Sequence, residues 1–514
     1  MSCLTCSNCG FVNLLPPEAH VQKTLQAIQL NSDDLVLQLL RGSRPLLDAD
    51  RALLDAEIAK LERLRSLYDV QLQEIQTRRR PISKALEDRT SIYAPIRRLP
   101  RDILTEIFHS VCECWRQEIE VDSIFTENRY SLNVSGPLWV LGRVCGLWRD
   151  TLHSSPVSWA RDIVLKSPFS KHARKILQTY LEHTGEHPLS LSVDCYDDNS
   201  TEDHEIMSLV VQSCCRWKKV YICTDVHYMH HLESISYLPV LQMIEIDIIV
   251  DYESDCHLGM CLNAPQLWRA SLPRQGIHQV GLPSSITHYS GRITCLEDFQ
   301  LLSHLPKLIT CHLRDFWTLS FQARRVEAPV TMAELRHLYV NSADYLNFLT
   351  APLLQSLTIS EPMRGSVSVP SFLRRSGCHL ENLSYNMRAA AWLSSEPPVL
   401  VSNILSSEAC STVSRLKLEL DKRFDEVAEA LTSLSVLPNL RHLILCVTTP
   451  VEEYEWNAIP DMIRFRRDAG LLKAVELQIT DYGSGRSDEY DITTEIKGLA
   501  GDNLEMRIEE WNSP

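Results

Sequence analysis

The stretch Leu354-Gln355-Ser356-Leu357-Thr358-Ile359 carries apolar side chains at its first, fourth and sixth positions. Its last three residues alternate as a strand buried on one face does, and its first can plug the core beneath that face. The same spacing recurs in both directions. Upstream are Trp217-x-x-Val220-x-Ile222, Leu241-x-x-Ile244-x-Ile246, Leu267-x-x-Ala270-x-Leu272, Leu308-x-x-Cys311-x-Leu313 and Leu335-x-x-Leu338-x-Val340. Downstream are Leu380-x-x-Leu383-x-Tyr385, Val413-x-x-Leu416-x-Leu418, Leu440-x-x-Leu443-x-Leu445 and Leu472-x-x-Val475-x-Leu477. First positions are separated by 24, 26, 41, 27, 19, 26, 33, 27 and 32 residues. The step of 41 is expected to hide a degenerate unit near Ile286–Gly291.

A recurrence at this period is the mark of a stacked repeat, in which one supersecondary unit buries its apolar face only against its neighbours. The hexapeptide spacing resembles that of leucine-rich repeats, although their consensus asparagine is largely missing. Between units, Phe424, Val427, Ala428, Leu431 and Leu434 fall at helical spacing and fit an outer layer. An ordinary α/β domain would also contain apolar buried strands, but ten recurrences near one period favour an irregular leucine-rich-repeat-like α/β solenoid over residues 161–510. The fold class expected is α plus α/β: an N-terminal helical region, then this solenoid.

Ahead of the repeats the texture is helical. In a segment spanning residues 45–82, Leu47, Leu54, Leu61, Tyr68 and Ile75 fall seven apart, with Ile58 and Leu72 in the complementary seam. Arg51 and Arg65 interrupt that seam. Such a coiled-coil-like helix can pair with itself or fold back on its neighbours, and Arg78-Arg79-Arg80-Pro81 is expected to end it. Residues 1–44 form a poorly defined segment. Cys3, Cys6 and Cys9 are spaced like metal ligands, with a fourth donor that would have to be His20 or a distant cysteine, and idle thiols at a frayed terminus are the favoured reading.

Between the heptads and the repeats lie two apolar stripes. One is Leu99-Pro100-Arg101-Asp102-Ile103-Leu104-Thr105-Glu106-Ile107-Phe108, where proline suits a first helical turn. The other contains Leu141, Val144, Cys145 and Trp148, followed by Pro156-x-x-Trp159. The Leu-Pro opening, the Ile-Leu-x-x-Ile-Phe helix and Val-Cys-x-x-Trp together resemble an F-box, here over residues 90–160. The arrangement of heptads before and leucine-rich units after is similar to a large group of F-box proteins of mushroom-forming (basidiomycete) fungi. The resemblance implies docking onto a Skp-type adaptor, and through it a cullin-RING ubiquitin ligase. The rest of the chain would then hold a protein substrate for ubiquitin-dependent degradation. Leu99, Pro100, Ile103, Leu104, Ile107, Phe108, Val144, Cys145 and Trp148 are the implied adaptor-binding residues, some of which must face the chain's own core. An insertion, Cys112 to Gly136, separates the stripes more widely than in a compact F-box. The alternative is a leucine-rich-repeat interaction scaffold with no ubiquitin-ligase link, self-associating through 47–75.

Composition narrows the partners. A net charge of −15 over 514 residues argues against nucleic acid or an anionic membrane surface. Seventeen cysteines, many in apolar runs, suit a reducing compartment, cytoplasmic or nuclear. No signal-peptide pattern opens the chain and no apolar run reaches the roughly 18 residues of a membrane span. No catalytic constellation stands out, so a non-catalytic adaptor without cofactor or metal is expected. Gly483-Ser484-Gly485-Arg486-Ser487 lacks the lysine of a phosphate loop. His227, His230 and His231, near Asp225 and Cys223, read as a surface loop. Asp194, Asp197, Asp198, Asp247, Asp251, Glu253 and Asp255 follow strand ends and could form a rim that meets a basic substrate segment.

Overall fold

In the computed structural model, the repeating hexapeptides become neighbouring strands of one sheet. The structure describes residues 4–5, 12–13, 18–120, 132–195, 200–249, 257–314, 329–360, 368–386, 401–419, 424–448, 458–481, 498–499 and 504–512. The chain divides into two units, Met1–Ile103 and Leu104–Pro514.

The first unit holds a small antiparallel pair, β1 (Leu4–Thr5) and β2 (Val12–Asn13), and two helices, α1 (Glu18–Leu40) and α2 (Asp48–Ile92). Asp50 accepts from the Leu47 amide and pairs with Arg44 at 2.9 Å, closing the start of α2. The expected stop at Pro81 is wrong: α2 runs 45 residues and carries Pro81 inside it. A proline in a helix interior forfeits one backbone bond and costs roughly 3 kcal/mol, which the long run of good helix formers on either side can absorb. Along the predicted seam Leu47, Ile58, Leu61, Tyr68, Leu72 and Ile75 are all exposed. A 3-10 turn, Pro95–Arg98, follows.

The second unit begins within α3 (Arg101–Glu120) and continues through α4 (Pro137–Val144), α5 (Gly146–His153) and α6 (Pro156–Ala160). Then come β3 (Ile163–Lys166), α7 (Ala173–His183), β4 (Leu189–Cys195), α8 (Thr201–Gln212), β5 (Trp217–Asp225), α9 (Met229–Glu233), β6 (Met243–Ile249), β7 (Arg269–Leu272) and β8 (His288–Arg292). Next are α10 (Leu296–Leu302), β9 (Thr310–Arg314), β10 (Val330–Thr331), β11 (His337–Val340), β12 (Leu349–Thr350), β13 (Ser356–Ile359), α11 (Ser368–Ser376) and β14 (Asn382–Asn386). The chain closes with α12 (Val401–Leu405), β15 (Arg415–Glu419), α13 (Phe424–Thr432), β16 (His442–Thr448), α14 (Ala458–Asp468), β17 (Ala474–Asp481) and β18 (Glu505–Asn512).

Fourteen of these strands form one sheet in chain order, each parallel to the next, while β10 and β12 pair only with each other. The register carries the sequence pattern directly. Val220 pairs with Ile244, Ile244 with Ala270, Ala270 with Tyr289, and Tyr289 with Cys311. The column continues through Leu338, Leu357, Leu383, Leu416, Leu443 and Val475. Every one of these side chains is buried. Residues between them are half-exposed in most strands, so one face of the sheet is covered and the other meets solvent. A parallel sheet wound with helices on both faces would bury both.

The degenerate unit is present as β8, in which Tyr289 takes the buried column position and Gly291 the next. A Cβ at Gly291 would collide with the Tyr289 ring, so glycine is what lets the ring lie flat there. Three further strands of this sheet, β3, β4 and β18, lie outside the ten hexapeptide units and the degenerate one. The outer-layer helix expected around Phe424–Leu434 is α13, with Val427, Ala428 and Leu431 buried.

Successive units are tied by arginines that reach back one repeat. Arg216 donates to the Thr184 hydroxyl and the Gly185 carbonyl, past the end of α7. Arg375 on α11 donates to the carbonyls of Leu346 and Leu349. Arg466 on α14 is fully buried and donates to the carbonyls of Leu431, Ser433, Val436 and Leu437 at 2.5–3.1 Å. In each case a guanidinium donates to carbonyls at a helix or turn end; those of Leu346, Ser433 and Leu437 also accept a backbone amide. Among the described residues no helix is long and apolar enough to cross a membrane.

Candidate partner-docking site

The nine residues expected to dock an adaptor divide by burial. On α3, Leu104 and Phe108 are fully buried, whereas Ile103 is 44% exposed and Val111 43%. Ile107, one turn from each exposed residue, is half-buried. The helix thus has an inward stripe at 104 and 108 and an outward one at 103, 107 and 111, each with four-residue spacing. Pro100 is exposed and Leu99 half-buried. In the second stripe Val144 is exposed, as is Val140 one turn earlier, while Cys145 and Trp148 are half-buried.

Trp148 is spent on structure. Its ring lies 5.0 Å from that of Phe108, tilted by 56°, which pins α5 to α3. A hydrogen bond from Arg149 Nε to the Gly142 carbonyl joins α5 to α4. The Pro156-x-x-Trp159 element forms α6, with proline in its first turn and Trp159 buried. The Trp159 indole donates to the Leu152 carbonyl at 3.1 Å and stacks edge-on to Tyr180 of α7 at 5.0 Å. His109 on α3 bonds the Ser158 hydroxyl at 2.9 Å. These contacts hold α3, α5 and α6 against the first helix of the sheet region. The expected insertion starts as a continuation of α3, which is helical through Glu120. Residues 121–131 lie outside the described part of the chain.

The open face of the sheet is the second surface of interest. Across β7 to β11, Arg269 lies beside His288, His288 beside Thr310 and Thr310 beside His337. Arg292 lies beside Arg314, and His312 beside Tyr339 with their rings stacked at 5.3 Å. Arg292 beside Arg314 sets two like charges on adjacent strands, a basic file in a chain whose net charge is −15. Burial, with the nearby Arg269 and His337, holds His288 below its ordinary range; burial, with Arg314, Arg269 and His288, does the same to His312. The positive charge near neutral pH is therefore mainly that of the arginines.

Toward β4 the sign reverses. Asp194, Cys223 and Asp247 lie side by side on adjacent strands, and Asp247 pairs with Arg274 at 3.2 Å. Burial raises the pKa of both carboxyls and pushes Cys223 up to about 11. The acidic residues expected at a rim therefore separate. Asp194 and Asp247 are on the sheet face, while Asp197, Asp198, Asp251, Glu253 and Asp255 lie outside the described residues, as do Cys3, Cys6, Cys9 and the glycine-rich stretch 483–487. Cys223 bonds toward Asp247, at 3.9 Å, and does not join the histidines that follow it in sequence.

One arrangement resembles a nucleophile with its base but lacks the geometry of a three-residue relay. Cys295 Sγ is 3.6 Å from His278 Nδ1, and the same nitrogen is 2.8 Å from Asp298 Oδ1. A relay needs both ring nitrogens, one for the nucleophile and one for the carboxylate. Asp298 instead accepts from the amides of His278, Thr294 and Cys295, capping α10. Burial alone would raise its pKa, but the bonds from His278 and Thr294 hold it below the usual carboxylate range. Burial raises the Cys295 thiol, the wrong direction for an activated nucleophile.

Neither a protein-family model nor any curated protein matches the sequence.

Proposed function

We propose that this chain is the substrate-recognition adaptor of a Skp–cullin–F-box ubiquitin ligase, with residues 161–510 forming an irregular leucine-rich-repeat-like solenoid. The observation that carries the reading is the division of the Ile-Leu-x-x-Ile-Phe helix into a buried stripe and an outward apolar one. Apolar side chains facing solvent on a helix pinned to a rigid body are what a protein-docking surface needs. The adaptor would bind through Ile103, Ile107 and Val144, with Leu99 and Pro100 preceding them. Leu104, Phe108 and Trp148 would shape the surface from within, and Cys145 would support the turn between α4 and α5. Trp159 would transmit the docked geometry to the sheet. The mechanism is proximity: a substrate lysine is held near a ubiquitin-loaded enzyme, and effective concentration does the rest. The test is co-purification of the full chain with a purified Skp-type adaptor. A stoichiometric complex is expected, and its failure to form with folded protein would overturn the reading.

The solvent-facing sheet surface suits the substrate. Its cationic file at Arg269, Arg292 and Arg314 favours an acidic or phosphorylated segment, in place of the basic one expected from the aspartates alone. The variant Arg269→Glu/Arg314→Glu should weaken anisotropy-measured binding of a fluorescent glutamate-rich peptide by about tenfold or more and leave adaptor binding unchanged. Equal binding by variant and wild type would remove the file from the substrate surface.

A scaffold reading is kept by α2, whose apolar seam is exposed from Leu47 to Ile75. Self-association through that seam is compatible with either function. Sedimentation should give a dimer that Leu61→Asp/Ile75→Asp converts to monomer; a wild-type monomer would remove the self-association.

A further inference from the structure

We propose that His204, His230 and His231 form a site for a divalent cation of the zinc class. His204 comes from α8, and the other two from α9 after the following strand. The three imidazoles offer nitrogens that all lie within 4.8 Å of one another. His204 Nδ1 is 3.1 Å from His231 Nε2. Two nitrogens sharing a tetrahedral zinc ion sit about 3.4 Å apart, given bonds of about 2.0–2.1 Å.

The surroundings orient these donors. His230 Nδ1 lies 3.0 Å from the His227 carbonyl, an acceptor only. That nitrogen must therefore carry the proton, which leaves Nε2 with a lone pair able to coordinate. A ligand histidine tied through its other ring nitrogen to a carbonyl is the usual outer-shell arrangement of metal sites. The His204 ring rests 4.8 Å from that of buried Tyr228, whose hydroxyl donates to Asp203. Asp203 is itself buried, and its Oδ1 has no hydrogen-bond partner among the described residues. An incompletely paired carboxylate one residue from a ligand favours a cation nearby.

Protonating more than one of these imidazoles would set like charges together. An all-nitrogen set suits zinc, copper, nickel or cobalt and disfavours magnesium and calcium, which take oxygen ligands. His230 is exposed, so the fourth position falls to water. Bound there, the ion would clamp the helices of two consecutive repeats.

The experiment uses the full chain, stripped of metal with chelator, with Cys3, Cys6 and Cys9 replaced by serine throughout so that terminal thiols do not compete. Zinc chloride titrated by calorimetry should bind at one ion per chain and raise the melting temperature. Cobalt in its place should give visible bands without thiolate charge-transfer absorption. Second-shell losses already weaken metal sites by about 10–100-fold, so His204→Ala and His230→Ala should each weaken binding by more than about 100-fold. His230 is exposed, so its variant keeps the fold and the comparison stays clean. Absence of binding, affinity unchanged in His230→Ala, or a cobalt spectrum with thiolate absorption would each overturn the proposal.

Discussion

Replacing Arg466 by methionine is expected to lower the stability of the sheet-bearing unit by about 3–5 kcal/mol. The guanidinium is fully buried, and no carboxylate is among its bonding partners, which are the four carbonyls of Leu431, Ser433, Val436 and Leu437. Desolvation brings its pKa down to about 10, which still leaves it charged at neutral pH. Charge-assisted bonds to carbonyls contribute roughly 1.5–3 kcal/mol each when intact, and a buried carbonyl left unpaired costs about 1–3 kcal/mol. Methionine fills the volume but offers no donor. The segment it would release includes Leu437, whose φ of 48° is unfavourable for a residue with a side chain, so the guanidinium bonds add to the turn's own bonds from Val436 N to the Ser433 carbonyl and from Leu440 N to the Leu437 carbonyl. The measurement is the urea midpoint of the full chain by circular dichroism. Arg466→Lys should recover less than half the loss, because one ammonium cannot span four acceptors in the plane a guanidinium covers. Arg464→Met, two residues away in an exposed pair with Asp461 at 2.7 Å, should shift stability by no more than about 0.5 kcal/mol. Equal midpoints for wild type and Arg466→Met would mean that water satisfies those carbonyls and the arginine tie carries no stability.

That tie had no sequence signature, and the reason is general to this fold. Strand alternation is local: the column from Val220 to Val475 follows a two-residue period that any window along the chain contains. Even the weak β8 unit was legible, because Tyr289 keeps the period. The strands outside the units lack the apolar first position or its spacing. In β3 it is Ala160, too small to stand out. In β4 the register against β5 shifts between Leu189 and Ser190, so Leu189 aligns with Trp217 but sits one residue closer to the next apolar position. In β18 the apolar residue is Leu504, one place later than the spacing requires. By contrast, Arg466 finds its acceptors about 30 residues away on backbone atoms, which every sequence contains and none advertises. His204 meets His231 from 27 positions off for the same reason. Pro81 errs the other way, since a strong local rule lost to the many helical residues around it. In α3, Ile103 and Leu104 are adjacent and equally apolar, and tertiary contacts such as that of Phe108 with the Trp148 ring, which no local pattern contains, go with the burial of the 104/108 stripe.

The sorting of α3 fixes how its docking should be tested. Leu104 and Phe108 are fully buried, so truncating them removes core contacts of the kind that cost about 2–5 kcal/mol and would abolish binding through unfolding alone. Ile107 and Val144 avoid that ambiguity, Val144 being 55% exposed. An aspartate meets solvent at Val144 and in part at half-buried Ile107 in the free protein, but would be desolvated at both in a complex. Each substitution is expected to cost about 2 kcal/mol of binding, so Ile107→Asp/Val144→Asp should weaken the adaptor complex roughly a thousandfold. The same variant should keep the wild-type thermal midpoint within a few degrees. Both are read on the full chain, affinity by biolayer interferometry against an immobilised Skp-type adaptor. The opposite control is Ile293→Val, fully buried in the sheet region far along the chain from α3, which should lower the midpoint modestly and leave affinity unchanged. If the double variant binds as well as wild type, the outward stripe of α3 is not the docking face. Among the described residues, the apolar side chains of Val134, Val140 and Val157, exposed by 38%, 47% and 43%, would then be the next surface of that region to test.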